Sequence, residues 1–215
     1  MSNSYRLLLM MKHQESEIWR MADRPRTLAD ESTIKLRLTM LSQPHIAPLT
    51  QFVQSLRAEG FGDVPYFDPM DGGINATSLF LLEKPGPMAS SSGFISRNNN
   101  DQTAENTFRF MEQARIDRIT TCLWNTVPGW NGTRKISSSE LRQGAACLHR
   151  LFALLPNLAV VVLVGKKAQK VRCFIEDHGI EVLTSYHPSP INYAMAPEKW
   201  SEIPCDWARV HKSLA

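Results

Sequence analysis

Apolar residues recur along this chain in two rhythms. Between Ile46 and Glu59, Leu49, Phe52, Val53 and Leu56 keep the three- and four-residue spacing of an amphipathic helix, and Gly60 supplies a stop. After a turn-rich stretch from Val64 to Gly73 the rhythm shortens. Four runs, Ser78 to Leu82, Ile119 to Trp124, Leu158 to Val164 and Ile180 to Thr184, are short, apolar and flanked by turn residues, as strands buried on both faces are. Helical segments alternate with them. Thr103 is the expected cap of one reaching Ala114, and Ser137 with Glu140 makes a capping box for one reaching Leu155. Ala168 to His178 reads as a third, stopped by Gly179, and a last one follows Pro197. A strand–helix alternation repeated four times predicts a three-layer α/β/α fold with a central four-stranded parallel sheet. Residues 44–215 are assigned to that domain. Residues 1–43, charged and without a period, are assigned to an N-terminal extension packing on it.

Composition narrows the class without naming a function. The 215 residues, 43% hydrophobic and 21% charged, suit one globular domain. A net charge of +3 permits a local basic patch but does not demand one. No apolar run approaches a membrane span, and Leu7 to Met11 is too short for a secretory leader, so a cytoplasmic protein without membrane contact is expected. Cys122, Cys147, Cys173 and Cys205 are scattered with no close pair, which predicts reduced, mostly buried thiols and no metal or iron–sulfur cluster. Neither a P-loop nor a G-x-G-x-x-G fingerprint occurs, so no nucleotide cofactor is expected.

In parallel sheets the ligand site lies outside the carboxyl ends of the strands. The loops there are 83–87, 125–132, 165–167 and 185–190. His187-Pro188-Ser189-Pro190 is stiffened by two prolines, which suits a fixed imidazole donor beside a hydroxyl; the plain alternative is a Pro-rich turn with a surface histidine. Glu83-Lys84-Pro85-Gly86-Pro87 sets two ionisable groups at a strand end, as a ligand-facing turn or as a local ion pair. Phe94 is either a core anchor or a stacking platform for a base. Asn125 carries two donors and one acceptor in one plane, suited to reading a nucleobase edge, or it is a satisfied buried amide. Lys166, Lys167, Lys170 and Arg172 cluster after Gly165, to grip phosphates or to form a solvated helix face.

Taken in order, these loops resemble the uracil-DNA glycosylase superfamily over about residues 64–214. Lys84-Pro85-Gly86-Pro87 is similar to the first motif, closest to the Asn-Pro-Gly-Pro of the single-strand-selective branch. Glu83 resembles the Glu of the thermophile-type Gly-Glu-Ala-Pro-Gly motif. Leu123-Trp124-Asn125 resembles the strand end that presents the uracil-reading Asn. The run Leu163 to Lys170 resembles the segment ending Ala-Gln-Lys, and His187-Pro188-Ser189-Pro190 matches the second motif. The chain departs from the main branch at Lys84, where that branch places a water-positioning Asp, and it lacks the iron–sulfur cysteines of the thermophile type.

The resemblance implies a monofunctional glycosylase that needs no cofactor, works as a monomer and acts on single-stranded or damaged duplex DNA. It implies catalytic roles for His187, Glu83 and Asn125. The base would meet Phe94, Asn125, Lys84, Pro85 and Gly86. DNA would meet Pro87, Gly165, Lys166, Lys167, Pro188, Ser189, Pro190 and Ile191, the last as a wedge. Two other functions stay open on the sequence: a non-catalytic nucleic-acid-binding relative, and a hydrolase of a free nucleoside or other small molecule.

Overall fold

The computed structural model describes residues 23–214. The run Leu7 to Met11 and the first half of the expected extension lie outside the described residues. Six strands occur among those described: β1 (Tyr66–Phe67), β2 (Ser78–Leu82), β3 (Phe94–Ile95), β4 (Thr121–Asn125), β5 (Val160–Val164) and β6 (Glu181–Ser185). The four longer strands form one parallel sheet in the order β4-β2-β5-β6, as the alternation predicts. The short β1 and β3 pair in a parallel ladder of their own, which the sequence pattern does not announce. Leu82 pairs with Asn125, Leu81 with Leu163, and Val164 with Ser185, so all four strands end at one level.

Helices cover both faces. Phe80 projects to one, where its ring centroid lies 5.0 Å from that of Trp207, and Phe110 joins them. Trp124 projects to the other, stacked on Phe67 at 4.0 Å with Phe52 beside it. The helix Ala47–Ala58 (α2, after α1 at Glu31–Thr39) buries Leu49, Phe52, Val53 and Leu56, the four positions its period selects. Two further helices differ in detail from expectation. The cap of Gln102–Gln113 (α4, after α3 at Pro87–Ser92) is Asp101, whose carboxylate accepts from the Ala104 amide at 2.9 Å, not Thr103. The segment after Gly165 is a 3-10 turn, Ala168–Val171, running into a short α-helix at Arg172–Glu176. The capping box of Ser137 and Glu140 is present and opens Ser138–Ala153 (α5). Of the cysteines, Cys122 and Cys147 are buried but Cys173 and Cys205 are exposed, since both sit on outer faces of short helices.

A buried ion network replaces hydrophobic packing near the start of β4. Arg118 meets Asp68 at 2.6 Å and Asp71 at 2.9 Å and also pairs with Asp23. Arg37, from α1, pairs with Asp68 and donates to Asn98 at 3.0 Å. These contacts fix the second half of the N-terminal segment to the sheet. They also fix the 96–101 loop, which reaches the carboxyl edge described below.

One contact ties α5 to that edge. A Cβ on Gly144 would lie 1.9 Å from the Thr126 carbonyl oxygen, directly after Asn125. In an open helix, Gly→Ala gains about 1 kcal/mol. Overpacking in a tight site costs roughly 1–3 kcal/mol, and the obstacle here is backbone. Gly144→Ala is therefore expected to lower the urea midpoint, against helix propensity; a raised midpoint would show that the α5–β4 contact yields easily.

Candidate active site

Because the strands end level, their loops converge on a single cavity of about 300 Å³ at the carboxyl edge. Leu82, Leu123, Ile95, Met88 and Ile136 give it apolar walls, and Glu83, Asn125, His187, Ser189, Asp101, Arg97 and Arg134 bring polar groups to it. All three expected catalytic residues line it, as do Lys84, Pro85, Gly86 and Pro87.

Asn125 is the last residue of β4 and only 4% exposed, yet its amide makes no hydrogen bond to any described residue. A buried amide without a protein partner is costly unless something else supplies one. Asn125 lies in the cavity wall.

His187 is held by its backbone. Its carbonyl accepts from Asn192 Nδ2 at 3.0 Å, and the Pro188 carbonyl accepts from Asn106 Nδ2 at 2.8 Å. Burial pushes the imidazole below its ordinary value; Glu83 and Asp101 act against that shift and Arg134 adds to it. Glu83 is fixed by the Lys167 amide, which donates to Oε1 at 2.9 Å. Gly165 makes this possible. Its φ is +96°, and a Cβ there would lie 2.7 Å from Glu83 Oε1 and 3.1 Å from His187 Cβ. A glycine thus lets the carboxylate and the imidazole share one corner of the cavity.

Several expected contacts are placed differently. Phe94 is fully buried and does not line the cavity; its ring lies 6.3 Å from that of Tyr66. Side chains alternate along a strand, so its neighbour Ile95 reaches the cavity instead. The Gly165 amide donates to the Ser185 carbonyl at 3.0 Å, which removes it as a phosphate donor. Lys166 is exposed and Lys167 half-buried beside the cavity edge. Ser189 caps the helix Pro190–Met195, accepting from the Asn192 amide, and Ile191 on that helix is 63% exposed.

Lys84 differs most from expectation. Its side chain is 3% exposed, and its ammonium donates to Glu140 at 2.6 Å, to Asn131 at 2.7 Å and to the Lys135 carbonyl at 3.1 Å. It pairs with Glu140 and not with Glu83, and its charge is bound to the 126–137 loop.

Three charged lining residues escaped the sequence reading. Asp101, Arg97 and Arg134 were given no role from the sequence. The signal for Asp101 was its position three residues before Ala104, at the head of a helical period. Arg97 donates from Nη2 to Thr121 at 2.9 Å, with Asp71 3.6 Å away, so it braces the cavity wall from below. Among the described residues, no group of three or more histidine, cysteine or carboxylate side chains is arranged to hold a metal, and no helix is long and apolar enough to cross a membrane.

The uracil DNA glycosylase superfamily model matches residues 71–207, which includes every strand of the main sheet and every loop of the cavity. The chain belongs to the uracil DNA glycosylase superfamily. A solution NMR structure of a candidate uracil DNA glycosylase from Methanosarcina acetivorans is similar at 15% identity, over 64% of this chain and 92% of that one, with a TM-score of 0.42. No protein of curated function matches. The Lys84 contacts lie within the span that the family model matches.

Those contacts have an acid signature. The Lys84 ammonium, together with the Ser137 amide, holds the Glu140 carboxyl down at about 2. A carboxylate depressed in the folded state adds stability above its ordinary range and loses it as the pH falls through the depressed value. Lys84→Met is therefore expected to lower the urea midpoint near neutrality and to flatten its decline between about pH 5 and pH 2. An acid profile unchanged from the parent would show that Lys84 and Glu140 are not coupled in solution.

Proposed function

We propose that this protein is a DNA base-excision glycosylase, hydrolysing the N-glycosidic bond of a flipped uracil or a related deaminated base. The observation that carries this reading is the unpartnered Asn125 amide, buried in the same cavity as His187 and Glu83. Enzymes that act on a base first extrude it from the stack into such a pocket. The Asn125 carbonyl accepts from uracil N3–H while its NH₂ donates to O4. His187, kept neutral by burial, donates to O2, where charge collects as the bond breaks. Glu83, anchored by the Lys167 amide, orients the attacking water, and Asp101 is a second carboxylate on the same cavity. Lys166, Lys167 and Ser189 face the DNA backbone. Ile191 fills the gap left by the flipped base, as apolar wedges do.

Lys84, standing where the main branch places a water-positioning Asp, does not by itself favour a non-catalytic relative. Its ammonium is neutralised by Glu140, and Glu83 and Asp101 leave the cavity with carboxylates for water. A hydrolase of free nucleosides has no feature in its favour that a glycosylase lacks.

The test is release of free base from uracil oligonucleotides under single-turnover conditions. His187→Ala is expected to slow release by about a hundredfold, the scale of one lost donor to a developing oxyanion, with DNA affinity retained. Equal rates would remove His187 from the chemistry.

Asn125→Ala is expected to abolish most uracil release. Asn125→Asp, which only accepts, should lose uracil and gain slight release of cytosine. Parental activity in Asn125→Ala would make Asn125 structural and sink the assignment of the cavity.

A further inference from the structure

The 126–137 loop carries a cation that no carboxylate among the described residues neutralises. Arg134 is exposed, lines the cavity beside His187, and has no ion pair or hydrogen bond among the described residues. Its charge is felt by the His187 imidazole, which places it within electrostatic reach of the reacting corner. Most other cations near the cavity are committed. Lys84 is bound to Glu140, and Arg97 lies against Asp71 and Thr121.

The position of Arg134 is not left to a free loop. The Lys135 carbonyl, one residue on, accepts from the Lys84 ammonium, and Asn131, three residues back, accepts from it too. Asn131 also donates to Glu140 at 3.1 Å, and the Ser137 amide to Glu140 at 2.8 Å. The stretch holding Arg134 is therefore pinned on both sides to one buried ammonium and one carboxylate. Ile136, next but one, forms part of the cavity wall.

We propose that Arg134 is a substrate-contacting residue that grips a DNA phosphate next to the flipped nucleotide, and that Lys84 is a positioning residue that holds it there through Glu140 and Asn131. This rests on the base-excision reading and deepens it. A guanidinium matches a phosphate with two parallel hydrogen bonds, which an ammonium does not. A fixed loop lowers the ordering cost of that contact. The position of Lys84, one residue after Glu83, links the strand end carrying the carboxylate to the loop carrying the cation.

The experiment measures binding of a short single-stranded uracil oligonucleotide across a salt series, alongside single-turnover base release, for the parent, Arg134→Ala, Arg134→Lys, Lys84→Met and the double variant. Each phosphate contact contributes about 0.7 to the slope of log affinity against log salt on single strands. Arg134→Ala should lower the slope by about that amount and raise KM well before kcat. Arg134→Lys should restore the slope but only part of the affinity, since the paired geometry is lost. Lys84→Met should lower the affinity with Arg134 present and change little once Arg134 is alanine, the non-additivity of two residues acting through one contact. An unchanged slope in Arg134→Ala would overturn the phosphate contact, and additive losses would overturn the positioning role of Lys84. A parent that releases no base while Arg134→Ala still lowers the slope would sink the glycosylase reading and leave this contact standing. A parent that releases base with Arg134→Ala at the parental slope would do the reverse.

Discussion

Strand β2 is hydrogen-bonded along both edges, to β4 on one side and to β5 on the other. The chain runs from β2 to its neighbour β4, then crosses back over β2 to reach β5. Right-handed crossovers on the two sides of β2 put the following segments on opposite faces of the sheet, which opens a crevice at its carboxyl end. The hydrogen bond from the Lys167 amide to Glu83 spans that crevice, from the loop after β5 to the loop after β2. The register then brings Asn125 level with Leu82 and Ser185 level with Val164. The cavity is where it is because one strand is central.

Much of this was legible in the chain. Continuous apolar runs such as Val160–Val164 can be buried on both faces only in a covered sheet, so the four strands of the main sheet and the loops after them followed from the order of apolar runs. The loops holding Asn125, Glu83 and His187 could be named before their distances were known. Strand order could not, because a run such as Ser78–Leu82 reads alike at the centre or the edge. Which of its two readings Phe94 takes, core anchor or stacking platform, was hidden for a related reason. Its burial was readable, but the face it takes depends on pairing with Tyr66 in a two-residue ladder too short to show a period. The contacts of Lys84 were hidden because its partner Glu140 is 56 residues away and already had a local role in the capping box.

The charged residues near the start of β4 were hidden in a different way. Asp68 and Asp71 sit in a stretch that reads as a turn, and Arg97 and Asn98 in a run of polar residues, yet all four are buried. Paired charges in a protein interior gain little net stability, because desolvation offsets their attraction. What such a network contributes here is geometry. Asp68 is held ionised by Arg118 and Arg37 against the effect of burial. The same Arg37 and Arg118 both donate to Asn98, two residues before the 100–101 turn that carries Asp101 to the cavity. A hydrophobic replacement would fill the space but would not fix the loop in one position.

The charged groups in the cavity and beneath it are thus handled in contrasting ways. Arg118 is surrounded by carboxylates, which raise its proton affinity, and serves only to hold loops. Lys84 is matched one to one by Glu140 and fixes a loop. Arg134 has no ion-pair partner among the described residues and lies exposed at the cavity, where water screens its charge. His187 lies between the negative pull of Glu83 and Asp101 and the positive charge of Arg134, and burial decides in favour of the neutral ring. A neutral imidazole still has one N–H to give, and beside an amide whose donors and acceptor are all unoccupied it completes a set able to bind a planar ring bearing both oxo groups and N–H. The Lys84 ammonium takes no part in that set, because Glu140, Asn131 and the Lys135 carbonyl hold it on the side of the loop.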